Sequence, residues 1–195
     1  MERKPTAGMM RRLDVPVPAR WLQIVRSLGT DNVVLTGGAL RDHLCGKQVK
    51  DLDLFVFGDD VPWTQLVERL ANAWELTMES DTEGYTPGVS SITNFELPDC
   101  DEPVNLMRSP LLDKESVIRR CDFGLCQIGM GTDGVVWVTE AFVDDCANKT
   151  FTFIPTEFTR EDASRTRWQR LREKYPDYTL KGLPDPVDEL ENLFE

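Results

Sequence analysis

Three branched apolar residues, Val33-Val34-Leu35, run into Thr36 and stop at a glycine pair, Gly37-Gly38. A short apolar run of this kind reads as a buried strand, and glycines at its end let the chain turn sharply into a helix. A helical pattern follows over Ala39 to Leu44 and closes at Gly46. A second strand pattern, Asp51 to Phe57, alternates polar and apolar residues (Asp51, Leu52, Asp53, Leu54) before becoming wholly apolar. Residues i and i+2 of a strand share one face, so Asp51 and Asp53 present two carboxylates side by side. Two such charges repel one another unless a cation lies between them. Mg²⁺ suits them, because it takes carboxylate oxygens together with substrate phosphates. The glycine turn, for its part, lets backbone amides approach phosphate oxygens. The pair of elements predicts a site for phosphoryl or nucleotidyl transfer, with Mg²⁺ (or Mn²⁺) as cofactor.

The rest of the chain alternates strands and helices. A helix is predicted from Ala19 to Leu28, behind Pro16 and Pro18 and ended by Gly29. Another runs from Trp63 to Met78 with an apolar stripe of Leu66, Leu70, Ala73 and Leu76. Residues 80–90 are turn-rich. Ser91 to Leu97 and Val104 to Met107 read as strands joined by the acidic loop Asp99-Cys100-Asp101-Glu102. Asp113 to Arg119 reads as a short helix, and Phe123 to Met130 with Val135 to Val138 as a hairpin around Thr132-Asp133-Gly134. Helices close the pattern over Thr139 to Asn148 and Arg160 to Lys174. This interleaving predicts an α/β layout with a mixed sheet.

Composition narrows the chemistry. The five cysteines are odd in number and none sits at CxxC spacing, which argues against a zinc cage and a disulfide framework and for a reducing, cytoplasmic setting. His43 is the only histidine, so histidine-based catalysis has almost no material; on its short helix it is expected to be structural or solvated. Met1-Glu2-Arg3-Lys4-Pro5 has no apolar stretch behind it, so no secretory leader is expected, and no run is long enough to span a membrane. The net charge of -12 disfavours a broad grip on nucleic acid, though charge can be local. The five tryptophans are expected to anchor the core, with Trp168 the one candidate for stacking on a base.

Gly37-Gly38-Ala39-Leu40-Arg41-Asp42, followed by Lys50-Asp51-Leu52-Asp53-Leu54, closely resembles the head domain of the poly(A) polymerase and class II tRNA nucleotidyltransferase (CCA-adding) family, within the DNA polymerase β-like superfamily. Arg119-Arg120-Cys121-Asp122-Phe123 is similar to the family's Arg-Arg-x-Asp-Phe element, and Glu161-Asp162-Ala163-Ser164-Arg165 to its Glu-Asp-x-x-Arg element. The resemblance covers about residues 30 to 172 and implies an α+β (mixed α/β) head fold, with a mixed, mainly antiparallel sheet flanked by helices. It implies that Asp51 and Asp53 are catalytic and hold the metals, and that Gly37 and Gly38 cradle the triphosphate. Arg41 and Asp42 would support that loop, or Arg41 would touch phosphate. Arg119, Arg120 and Asp122 would hold sugar and phosphate, and Asp162 and Arg165 would face the base. The implied layout is a basic arm (1–18), a nucleotidyltransferase head (19–158), a neck-like helical segment (159–182) and an acidic tail (183–195).

The sequence departs from the family at Asn105, where a third carboxylate is usual, and at Phe123-Gly124-Leu125-Cys126. Nothing in it matches the family's helical body and tail, so acceptor specificity does not carry over. Three functions remain: transfer of a nucleotide from an NTP to an RNA or tRNA 3′ end, transfer to a protein or small molecule, and non-catalytic binding of a nucleotide or partner. The acidic tail, with Leu190, Leu193 and Phe194, is a candidate segment for a protein partner.

Overall fold

The computed structural model describes residues 9–76, 89–98 and 100–184. The start of the basic arm, the last residues of the helix expected to reach Met78, most of the turn-rich stretch, Asp99 and nearly all of the acidic tail lie outside these residues.

The described elements run β1 (Arg11–Leu13), α1 (Ala19–Ser27), β2 (Val33–Thr36), α2 (Gly38–Leu44), β3 (Leu52–Val56), α3 (Trp63–Ala73), β4 (Ser91–Phe95) and β5 (Val104–Arg108). They continue with α4 (Lys114–Arg119), β6 (Ile128–Met130), β7 (Val136–Val138), α5 (Glu140–Asn148), β8 (Thr150–Thr152), α6 (Glu161–Lys174) and β9 (Thr179–Lys181). Seven strands form one sheet in the order β1-β7-β6-β2-β3-β5-β4. Only β3 and β5 pair in parallel in it; the other pairs are antiparallel. This is the mixed, mainly antiparallel α+β arrangement that the family resemblance implies. No helix among the described residues is long and apolar enough to cross a membrane.

The alternation in β3 sorts its side chains between two cores. Leu52, Leu54 and Val56 join a large cluster with α1, α2 and α3, while Phe55 and Phe57 join a smaller one with Val117 and Ile118 of α4. Asp51 and Asp53 fall in phase with Phe55, as strand geometry requires. In α1, Trp21, Ile24, Val25 and then Leu28 repeat at helical spacing and are buried. The stripe on α3 is rotated from the expected one: Leu66, Val67, Leu70 and Ala71 are buried, whereas Ala73 is exposed and ends the helix. Full burial of each leucine contributes about 1.5–3 kcal/mol.

Three elements differ from the sequence reading. Arg11–Leu13, assigned to the arm, is an edge strand paired antiparallel with β7. The stretch from Phe123 is not one strand, because Gly124–Cys126 makes a turn of 3-10 helix before β6. The pair β8–β9, parallel, follows α5 and α6 and was not foreseen. Leu171 and Tyr175, from the segment expected to form a neck, belong to the large core, where Tyr175 meets Phe151 at 5.3 Å between ring centroids. Trp168 packs on Phe151 at 5.6 Å and so serves as an anchor.

Gly129 marks the tightest approach in the sheet. A Cβ there would lie 2.6 Å from Cγ1 of Ile118 and 2.8 Å from Cγ2 of Val34. Both neighbours are fully buried and cannot retreat. Gly129→Ala is therefore expected to destabilise the protein by about 1–3 kcal/mol, read as a lower melting temperature.

Candidate active site

The end of β2 and the start of β3 open onto one cleft of about 520 Å³. Gly37, with φ of 77°, sits between β2 and α2 in a conformation that only glycine adopts easily. A Cβ at Gly37 would meet nothing within 4 Å, so the turn faces open space. Its amide donates to the carbonyl of Ile128 at 3.1 Å, and the Thr36 hydroxyl donates to the same oxygen at 2.6 Å, which fixes the turn on β6. Asp51 and Asp53 lie on the cleft floor beside Phe55.

Asp53 stands opposite Asn105 in the parallel pairing of β3 with β5. The Asn105 amide donates to Oδ1 of Asp53 at 2.8 Å, and Lys50 Nζ pairs with Oδ2 of Asp51 at 2.9 Å. The other oxygen of each carboxylate takes no hydrogen bond among the described residues. Burial, and next the neighbouring Asp51, push the Asp53 carboxyl up from its ordinary range, although the Asn105 hydrogen bond opposes them. Among the described residues no group of three or more His, Cys, Asp and Glu side chains converges as a metal cage. The donor set is thus two carboxylates and one amide, which fits Mg²⁺, an ion bound through one or two carboxylates plus waters and substrate phosphates.

The raised Asp53 pKa has a consequence for stability. The native protein holds this proton to a higher pH than the unfolded chain does, so stability falls as pH rises from the ordinary carboxylate range through the native value. Asp53→Asn removes that penalty and keeps an oxygen for Asn105. It is expected to melt at a higher temperature than wild type near neutral pH without divalent metal, the gap closing as pH falls to the ordinary carboxylate range.

Arg41 and Asp42 form a buried pair at 2.6 Å, 8% and 4% exposed at the side chain. Arg41 also donates to Sγ of Cys126 at 2.9 Å, and the Tyr175 hydroxyl donates to Oδ1 of Asp42 at 2.6 Å. Lys174 Nζ pairs with Oδ2 of Asp42 and donates to the carbonyl of Gln48. Burial alone would lower the Arg41 pKa, but Cys126, Asp42 and Tyr175 hold it well above its ordinary value. The pair ties the glycine turn to the end of α6. Of the two roles implied for Arg41, this geometry favours support of the loop.

Asp122 is buried and accepts from Ser164 Oγ and Arg167 Nη1, both on α6. Arg120 lies between two aromatic faces, 4.4 Å from the Phe55 centroid and 5.5 Å from that of Phe158. Burial, with Arg167 near, draws its pKa down. Cys121 also lines the cleft, where burial pushes its thiol up to about 12. It therefore stays protonated and is no nucleophile near neutral pH. His43 lies behind the turn, with Nε2 3.1 Å from the Pro16 carbonyl and its ring against Trp21, as expected of a structural histidine.

The cleft thus gathers Gly37, Gly38, Arg41, Asp42, Asp51, Asp53, Arg120 and Asp122. It does not gather Arg119, Asp162 or Arg165. Arg119 pairs with Glu115 at 2.8 Å. Asp162 pairs with Arg160 on the surface, and Arg165 reaches Glu161 at 3.3 Å and the Pro184 carbonyl at 3.0 Å. The side of α6 that does face the cleft carries Ala163, Arg167, Arg170 and Lys174, with Arg160 at its start. Spacings of three and four residues put these side chains on one helical face, opposite Arg165. That periodicity was readable in the sequence, but the Glu-Asp-x-x-Arg likeness directs attention to the other face. Among the described residues the cleft holds seven cationic side chains and four carboxylates, in a chain whose net charge is -12.

No family model and no curated protein matches the sequence. Solved structures match it in shape. The Thermotoga maritima CCA-adding enzyme, solved with tRNA, matches 93% of this chain at a TM-score of 0.66 and 14% identity. The chain has the fold found in CCA-adding enzymes. A CCA-adding enzyme solved with ATP matches 89% of the chain at a TM-score of 0.63 and 17% identity. The Bacillus stearothermophilus CCA-adding enzyme solved with CTP matches 83% at 0.58 and 16% identity. The chain spans less than half of each of these proteins, 44%, 43% and 40% of their lengths. The likeness is one of fold, and the identities are too low to carry site residues across by alignment.

Proposed function

We propose that the protein is a nucleotidyltransferase, which moves a nucleoside monophosphate from an NTP to an acceptor hydroxyl, with the 3′ end of an RNA or tRNA as acceptor. The observation that carries this is the convergence of Asp51 and Asp53 with the open Gly37-Gly38 turn in a cation-rich cleft. Solved structures of the same fold with ATP, CTP or tRNA support it. Asp51 and Asp53 would hold Mg²⁺ (or Mn²⁺). When bound there, the metal would neutralise phosphate charge and make the acceptor hydroxyl a better nucleophile.

The chain's own residues do the positioning. The absence of a Cβ at Gly37 leaves room for the triphosphate beside β2. Arg120, clamped between Phe55 and Phe158, offers a preset cation to phosphate or sugar, and Asp122 aims Arg167 from α6. A fixed charge of this kind needs little reorganisation as charge shifts in the reaction. The acceptor oxygen bonds to the α-phosphorus while the α–β bridge breaks. Pyrophosphate leaves, and the acceptor proton passes to solvent.

Binding of an α,β-methylene ATP analogue to the full chain, with and without Mg²⁺, tests the site. Binding should require the metal. Arg120→Gln should weaken it about tenfold, the loss of one charge-assisted hydrogen bond, and Arg165→Gln should leave it nearly unchanged. Loss on Arg165→Gln alone would return the nucleotide to the far face of α6 and contradict this reading of the cleft.

A further inference from the structure

Two cavities meet at Lys50 and Lys174. On one side is the active cleft; on the other is a groove of about 800 Å³, lined by Lys47, Lys50, Lys174, Asp101 and Glu102 among others. Lys174 is pinned at the junction by Asp42 and the Gln48 carbonyl. Lys50 stands there with its side chain 77% exposed, paired to Asp51. One turn before Lys174, Arg170 lines the active cleft, and its side chain makes no hydrogen bond or ion pair among the described residues. Beyond the junction, Lys47 has a ring contact with Tyr175, 5.5 Å from its centroid, and its charge also acts on Asp177, which is itself paired with Lys149. Arg170 and Lys47 thus flank the junction on its two sides, neither in an ion pair among the described residues, in a chain with an excess of twelve negative charges.

We propose that this groove holds the phosphate backbone of a single-stranded polynucleotide acceptor, whose 3′ end enters the active cleft between Lys50 and Lys174. The inference rests on the nucleotidyl-transfer reading and adds the path of its second substrate. Lysines meet phosphates as point charges and without regard to sequence. Asp101 and Glu102 repel phosphate and accept hydrogen bonds from sugar hydroxyls and base amino groups, so they set how a strand lies in the groove. Trp21, which also borders the groove, is only 3% exposed and offers no open face for stacking. Binding should therefore show weak base preference and strong salt dependence.

The test is fluorescence anisotropy of a labelled, unstructured short RNA ending in a 3′-deoxyribose, so that no transfer occurs, with the full chain in Mg²⁺. Lys47→Glu should weaken RNA binding about tenfold or more, and Lys47→Gln should reduce the salt slope by about 0.7. Asp101→Lys should strengthen binding and steepen the slope. Binding of α,β-methylene ATP should be the same in all of these variants, since neither residue lines the active cleft. RNA affinity that ignores all three substitutions overturns the groove assignment. So does wild-type protein that binds the nucleotide and no RNA, the outcome expected for a protein or small-molecule acceptor. Failure of wild-type protein to bind the nucleotide would instead remove the nucleotidyl-transfer reading beneath it.

Discussion

Asp51→Ala or Asp53→Ala is expected to lower pyrophosphate release by at least about 10²–10³-fold, the scale for losing one preset electrostatic contact to the reacting phosphates. The loss should exceed that of a surface charge because, among the described residues, the two carboxylates are the only acidic side chains of the cleft left to hold a cation. Asp42 and Asp122, the other acids of the cleft, are committed to Arg41, Lys174, Arg167 and Ser164. The fold should survive both substitutions. Asp53 is held by one hydrogen bond from Asn105, and Asp51 by an exposed lysine. Far-UV circular dichroism and the melting temperature should thus stay near wild type while turnover disappears. Activity retained in either variant would contradict the roles given to these residues.

Asp42→Ala is expected to have the largest effect on stability, a loss of about 3–5 kcal/mol, the range for removing one partner of a buried ion pair. The substitution strands Arg41 in the core, takes the acceptor from the Tyr175 hydroxyl, and frees Lys174 from α2. For a domain of this size each kcal/mol corresponds to about 2–4 °C, so a fall of about 6–20 °C is expected in thermal melts. Asp42→Asn should lose less, since an amide oxygen still accepts from Arg41 or Tyr175. A neutral result for Asp42→Ala would mean that the Arg41–Asp42–Tyr175–Lys174 cluster does not fasten α6 to the glycine turn.

Much of this site could be read before the fold. The i, i+2 carboxylates and the glycine pair are local features, set by strand geometry and by backbone freedom, and the structure brings them together. So is the alternation that splits β3 between two cores. What escaped depends on distant partners. Arg11–Leu13 has no apolar pattern and becomes a strand only because β7 presents a free edge. Asp42 and Asp122 look like solvated charges in the sequence, and their burial follows from partners more than forty residues away. On α6 the basic residues are so dense that charge alone does not choose a face. Packing chooses it, through Ser164 and Leu171, which are buried, and so turns Arg167 and Lys174 toward the cleft and Arg165 away.

The most direct test of the central claim is pyrophosphate release by the wild-type chain from each of the four NTPs, with Mg²⁺ or Mn²⁺, in the presence and absence of total tRNA. The cleft described here predicts release that needs both the divalent metal and an RNA acceptor. Nucleotide binding with no release under any of these conditions would contradict it and would make the protein a nucleotide-binding module built on the same fold.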